Sequence, residues 1–231
     1  MLKIDRAEQT ILFVPTIAAL LMLIVIAFAA PRPGCFRLSG SILPAGPARS
    51  PGLAQPVQSL GSTEEGTFLV AARTLRDPNF ARTVVLLIDH DAQGAFGLII
   101  DRPTPHNMAE LWPEITGLEV HPVYIGGPVF PNRLLFLLRS EGPPRGMRRV
   151  IRGVHLGSDE LILKRVIARG EEPFRVFAGY SGWAPGQLDN EIARGDWYLV
   201  PAERRYIFHP RPDEIWSELI QRVDIQVAKL P

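Results

Sequence analysis

Cysteine is nearly missing from this 231-residue chain: Cys35 is its only one. A single thiol excludes an intramolecular disulfide and any zinc site built on cysteine pairs. It fits a reducing compartment. Charge imbalance is missing too. The net charge is +1, so no overall field draws the chain to nucleic acid or to an acidic membrane. Catalytic signatures are absent as well. Gly126-Gly127 follows a strand-like run but lacks the lysine of a P-loop and the third glycine of a dinucleotide fingerprint. Gly179-Tyr180-Ser181-Gly182-Trp183 has tryptophan where a nucleophile elbow needs glycine, so Ser181 is not read as a nucleophile. His106, His121, His155 and His209 have no paired helical spacing. Neighbours in Asp89-His90-Asp91 point in opposite directions on an extended chain, so at most two converge on an ion. No catalytic residue, metal or cofactor is assigned. Arg145, Arg148, Arg149 and Arg152 form the main basic cluster. No aromatics interleave with them as a nucleic-acid surface requires, so they are read as a solvated loop.

What the chain does have begins with an uncharged apolar run at residues 11–30. Twenty such residues match a bilayer core of about 30 Å. Leu, Ile, Val and Phe dominate the run, and at about −0.3 to −0.6 kcal/mol each they favour insertion. It is read as a transmembrane anchor after a leader at 1–10. An uncleaved or cleaved signal peptide is the rival, because Ala27-Phe28-Ala29 resembles a small-x-small cleavage site. Arg32, Arg37 and Arg49 follow the run with no acid before Glu64, which favours the cytoplasm for the trailing side. Residues 31–65 are rich in proline, glycine and serine and read as a linker.

The main domain is expected over residues 66–231. Strands are read at 67–72, 83–88, 96–100, 123–125, 134–138, 150–156, 174–178, 197–200 and 206–208, from apolar runs bounded by turn residues. Helices are expected at 107–112, from Ser158 to Arg169 with Leu161, Val166 and Ile167 facing inward, at 187–194, and from an Asp213 cap to Arg222. Strands outnumber helices and often follow one another directly. That pattern gives an α+β fold with a mixed sheet.

Residues 179–191 stand out, too glycine-rich for ordinary core and too aromatic for a linker. Four blocks in order carry a resemblance. The first is Phe68-Leu69-Val70-Ala71 with Asp77-Pro78-Asn79-Phe80 and Arg82-Thr83-Val84-Val85. The second is His90, Gly94, Gly97-Leu98-Ile99-Ile100 and Arg102-Pro103. The third is Val123-Tyr124-Ile125-Gly126-Gly127-Pro128-Val129. The fourth is Gly179-Tyr180-Ser181-Gly182-Trp183 with Gly186-Gln187-Leu188, Glu191, Trp197 and Trp216. Together they resemble the YqgE/AlgH family of uncharacterised bacterial proteins over roughly residues 66–223. Arg73-Thr74 and Ala184-Pro185 depart from its pattern. The resemblance implies a strongly bent, barrel-like sheet with a few flanking helices and no agreed enzymatic activity, although some members have been labelled transcriptional regulators. The expected role is a non-enzymatic regulatory or interaction domain with a protein partner or a second copy, tethered to the inner membrane on its cytoplasmic side. The alternative is a small-molecule-binding protein or an enzyme of unrecognised class. The candidate residues are Gly126, Gly127, Gly179, Tyr180, Ser181, Gly182, Trp183, Gly186, Gln187, Glu191 and His90.

Overall fold

A computed structural model describes residues 66–142, 144–170 and 173–228. The expected leader, membrane segment and linker, with Cys35, lie outside the described residues. Among the described residues no helix is long and apolar enough to cross a membrane.

The strands are β1 (Thr67–Ala71), β2 (Val84–Asp91), β3 (Gly94–Ile99), β4 (Pro103–Asn107), β5 (Pro122–Ile125), β6 (Val129–Arg139), β7 (Arg148–Ile151), β8 (Val154–Gly157), β9 (Phe174–Trp183) and β10 (Trp197–Pro201). The helices are α1 (Glu160–Ala168), α2 (Gln187–Ala193), α3 (Arg204–Ile207) and α4 (Ile215–Val227). One sheet runs in the order β10-β1-β2-β3-β9-β6-β8-β7, and β5 joins β9 while carrying β4. The β5–β9 pair is parallel and the other pairs are antiparallel. Strand β9 is the hub, pairing with β3, β5 and β6.

The sheet is curled into a half-barrel. Strands β2 and β7 are separated by four others in the sheet order, yet Arg148 of β7 forms an ion pair with Asp89 of β2. A flat sheet would hold them about five strand spacings of 4.7–4.9 Å apart. Curling lets β1, β2 and β3 bury both faces. Phe68, Leu69, Val70, Val84, Val85 and Leu86 have no exposed surface. Helix α4 closes one side with Ile215, Trp216, Leu219, Ile220 and Val223, and Trp216 Nε1 donates to the Ala71 carbonyl at 2.8 Å.

Five departures from the sequence expectations lie outside the glycine-rich stretch. The expected 107–112 helix is a three-residue 3-10 turn, Met108–Glu110, because 103–107 pairs with β5 as a strand. The single strand expected at 150–156 is the β7–β8 hairpin, turned at Gly153, whose φ of 74° suits glycine. Asp159, not Ser158, caps α1, accepting from Leu161 N and Ile162 N. That phase turns Leu163 and Val166 inward and leaves Leu161 71% exposed. Residues 204–207 are a short helix, not a strand, and bury Tyr206 and Ile207. Asp213 caps nothing: a 3-10 turn, Pro212–Glu214, leads into α4.

Candidate functional site

Strand β9 runs through the glycine-rich stretch to Trp183. Its glycines are therefore strand glycines beside another backbone, not a free loop. Gly179 has φ 70°, and a Cβ there would lie 2.6 Å from the Gly127 oxygen. A Cβ on Gly126 would lie 2.3 Å from the Gly179 oxygen, and one on Gly127 2.3 Å from the Tyr180 carbonyl carbon. Residues 126–127 and 179–181 thus form a seam with backbone against backbone, where only glycine fits. Ser181 is fully buried, and its hydroxyl donates to the Gly126 carbonyl at 3.1 Å.

Downstream, one carboxylate organises the corner. Glu191 Oε2 accepts from Trp183 Nε1 at 2.8 Å and from Trp197 Nε1 at 2.9 Å. Its Oε1 accepts from Gln187 Nε2 at 3.0 Å, and Gln187 Oε1 accepts from Ala184 N at 3.1 Å. Phe80 stacks on Trp183 at 5.7 Å and meets Trp197 edge-on at 5.5 Å. Gly186, with φ 70°, starts α2 without a side-chain cap. His90 Nε2 lies 3.1 Å from Asp189 of the same helix. The two candidate loops do come together. Gly126, Gly127, Gly179 and Ser181 form the seam, while Gly186, Gln187, Glu191 and His90 brace the corner beside it.

Tyr180, Gly182 and Trp183 differ from the rest because they also line a cleft of about 680 Å³. Phe96, Val129, Leu135 and Leu156 give it an apolar wall, and Arg133, Arg148 and Ser158 give it polar groups. A bulge creates its rim. Val129 pairs with Tyr180 and Leu134 with Ala178, so residues 130–133 stand opposite the single residue Gly179. Bulges bend a strand and re-aim its side chains, and they recur beside functional sites. Phe130, in this bulge, has φ 46° and is 65% exposed. A left-handed backbone at a bulky residue is rare and costs about 1–3 kcal/mol. The Phe130 ring lies 6.1 Å from the Tyr180 ring, which meets Phe96 edge-on at 5.0 Å. Sequence reasoning named neither Phe130 nor Arg133. The available signal was Pro131 inside a strand-like segment, which marks an interruption.

A second polar cluster lies under the opposite end of the hub strand. Arg175 is buried beneath Tyr124, 4.6 Å from its ring, and donates to the Ile100 carbonyl at 3.2 Å and to the His209 carbonyl. Asp101 Oδ2 accepts from Val84 N at 3.0 Å, while its buried Oδ1 has no hydrogen-bond partner. Burial pushes the Asp101 carboxyl up to about 8, against the pull of Arg102, two backbone N–H groups and Arg175. Arg102 holds the 78–81 turn through the Asn79 carbonyl at 2.8 Å and the Ala81 carbonyl at 3.1 Å. The sequence signal was Arg175, the one charge in an otherwise apolar run. Among the described residues no group of three His, Cys, Asp or Glu is placed to hold a metal ion.

Comparison with known proteins bears on the fold and the family. A family model described as AlgH-like matches residues 68–228. A UPF0301 protein of Streptomyces avermitilis is 38% identical over 176 residues, covering 72% of this chain and 90% of that protein. A UPF0301 protein of an Azoarcus species is 38% identical over 170 residues, covering 71% and 90%. Among solved structures, the AlgH protein of Pseudomonas aeruginosa matches with TM-score 0.61 and 30% identity, over 74% of this chain and 97% of that one. A protein of Corynebacterium diphtheriae matches with TM-score 0.60 and 26% identity, over 70% and 88%.

Proposed function

The chain belongs to the AlgH-like family, and from that premise we propose that it acts by binding, without covalent chemistry, through the cleft beside β9. One observation carries the reading: the 130–133 bulge presents a strained, 65% exposed Phe130 whose ring lies 6.1 Å from Tyr180, which lines the cleft with Phe96 and Arg133. Exposed aromatics and arginines around a concavity are the composition of binding hot spots. A volume near 680 Å³ lies within the range of ligand-sized pockets, about 300–1,000 Å³. Regulation follows from occupancy: what fills the cleft changes what the domain presents to a partner protein or a second copy. The test is growth competition in the native host between wild type and the double variant Phe130→Ser with Arg133→Glu. The variant loses fitness at an unchanged protein level. A double variant that competes as well as wild type sinks the reading.

The same proposal includes a tether. Residues 11–30 hold the domain at the inner membrane, with the main domain on the cytoplasmic side. The uncharged run and the arginines that follow it support this. Fractionation with sizing of the native chain tests it: intact protein in the membrane fraction is expected, and a soluble form starting near residues 61–66 refutes the anchor.

A further inference from the structure

The lining of the cleft is one-sided in charge. Its charged residues are Arg133 and Arg148, and no carboxylate lines it. Arg148 is already engaged, because Asp89 accepts from both of its terminal nitrogens. Arg133 makes no hydrogen bond or ion pair to any described residue and stands exposed on the bulge. The imbalance extends past the lining. Residues 129–170, which supply β6, β7, β8 and α1, hold nine of the chain's 25 basic residues and only three of its 24 acidic ones. The whole chain carries +1, so the positive bias belongs to this stretch of the sequence, of which Arg133 and Arg148 reach the cleft. Phe96 and Tyr180, in edge-to-face contact, give the lining an aromatic part. A guanidinium fork suits a planar carboxylate, and an aromatic wall suits a flat apolar body.

We infer that the cleft binds an organic anion, a carboxylate carried on a flat apolar body, with the anion on Arg133 and the body against Tyr180 and Phe96. The inference rests on the cleft being the working surface. Arg133 is the first anchor because it has no partner among the described residues to give up. Arg148 joins only if the ligand displaces Asp89, so it contributes less. The same chemistry has two sources: a free small molecule, or neighbouring aromatic and acidic side chains on a protein partner.

The experiment is equilibrium dialysis of the full chain against 2-naphthoate, its neutral isostere 2-naphthamide, and an acetylated Phe-Asp amide. The carboxylate binds about tenfold or more tightly than the amide, and binding weakens as salt rises. Arg133→Glu lowers 2-naphthoate affinity about tenfold or more, and Arg133→Lys restores part of it. Arg73→Glu, outside the cleft lining, leaves it unchanged. A melting curve for Arg133→Glu close to wild type shows that the fold is intact. Tighter binding of the dipeptide than of 2-naphthoate assigns the source to a protein partner, and the reverse order assigns it to a free anion. Equal affinity for amide and carboxylate overturns the inference, as does unchanged naphthoate binding by Arg133→Glu. Absence of saturable binding by either anion also overturns it. If anion binding fails these tests while growth competition still shows a loss for the cleft variant, the anion inference has failed and the cleft reading has not.

Discussion

The seam at 126–127 and 179–181 and the bulge at 130–133 sit side by side along β9, and they are opposites. In the seam every group has a neighbour: glycines abut backbone and the Ser181 hydroxyl is bonded and buried. In the bulge four residues face one, Phe130 is exposed and strained, and Arg133 has no partner among the described residues. A motif conspicuous in sequence is here a packing requirement. The surface with unspent binding capacity lies in less conspicuous residues next to it. The two are coupled through Gly179, since a Cβ there would also lie 2.9 Å from the Val129 oxygen and 3.1 Å from the Pro131 Cα. The tight backbone of the seam leaves the bulge no room to relax inward.

The contrast breaks most visibly at Gly127. Gly127→Val puts a branched side chain where even a Cβ lies 2.3 Å from Ser181 N. The expected cost is about 4 kcal/mol or more, read as loss of soluble protein or a melting midpoint lower by about 10 °C or more. Next comes the corner. Glu191→Leu strands the Trp183 and Trp197 indole N–H groups that now share one carboxylate oxygen. That costs about 2–4 kcal/mol in denaturant unfolding, and Glu191→Gln, which keeps an acceptor, costs about half as much.

The third prediction concerns pH. Asp101 is raised in the folded state, so the fold binds its proton more tightly than the unfolded chain does. Its contribution is present below the ordinary carboxylate value of 3.8 and is lost as pH rises through about 8. Melting midpoints should therefore fall across that window, and Asp101→Asn should flatten the slope. An unchanged slope would contradict the buried-acid account.

Phe130→Gly sharpens the comparison from the other side. It removes an exposed ring and a left-handed strain, so the midpoint stays level or rises by a few degrees, about 1 kcal/mol at most. Cleft binding falls at the same time. The smallest effect is expected at Arg73→Ala. Arg73 pairs with Asp224 at 2.8 Å with both side chains at least half exposed, and such pairs contribute below about 1 kcal/mol.

Much of the fold was legible in the sequence. Continuous apolar runs located β1, β2, β5 and the first half of β9 because strands buried on both faces leave that trace. The inward face of α4 followed from helical spacing, with Ile215, Trp216, Leu219 and Ile220 buried as expected. Four errors, at 103–112, 150–156, 204–207 and Asp213, share a physical origin: short segments whose state is set by pairing and packing, not local preference. Leu161 has a different origin, since moving the α1 cap by one residue changed which side chains face the core. For the site, sequence located the seam and the corner because glycine and tryptophan are conspicuous there. It missed Phe130 and Arg133, since a bulge comes from the register of two distant strands, and register leaves little mark in a single sequence.

Native-state hydrogen exchange on the full chain tests the contrast most directly, comparing a peptide over 176–182 with one over 130–133. The account predicts that 176–182 exchanges only through global unfolding, while 130–133 exchanges about a hundredfold faster or more. Equal rates in the two peptides, with 176–182 opening independently of global stability, would contradict the reading of the glycine stretch as a closed seam beside an open binding surface.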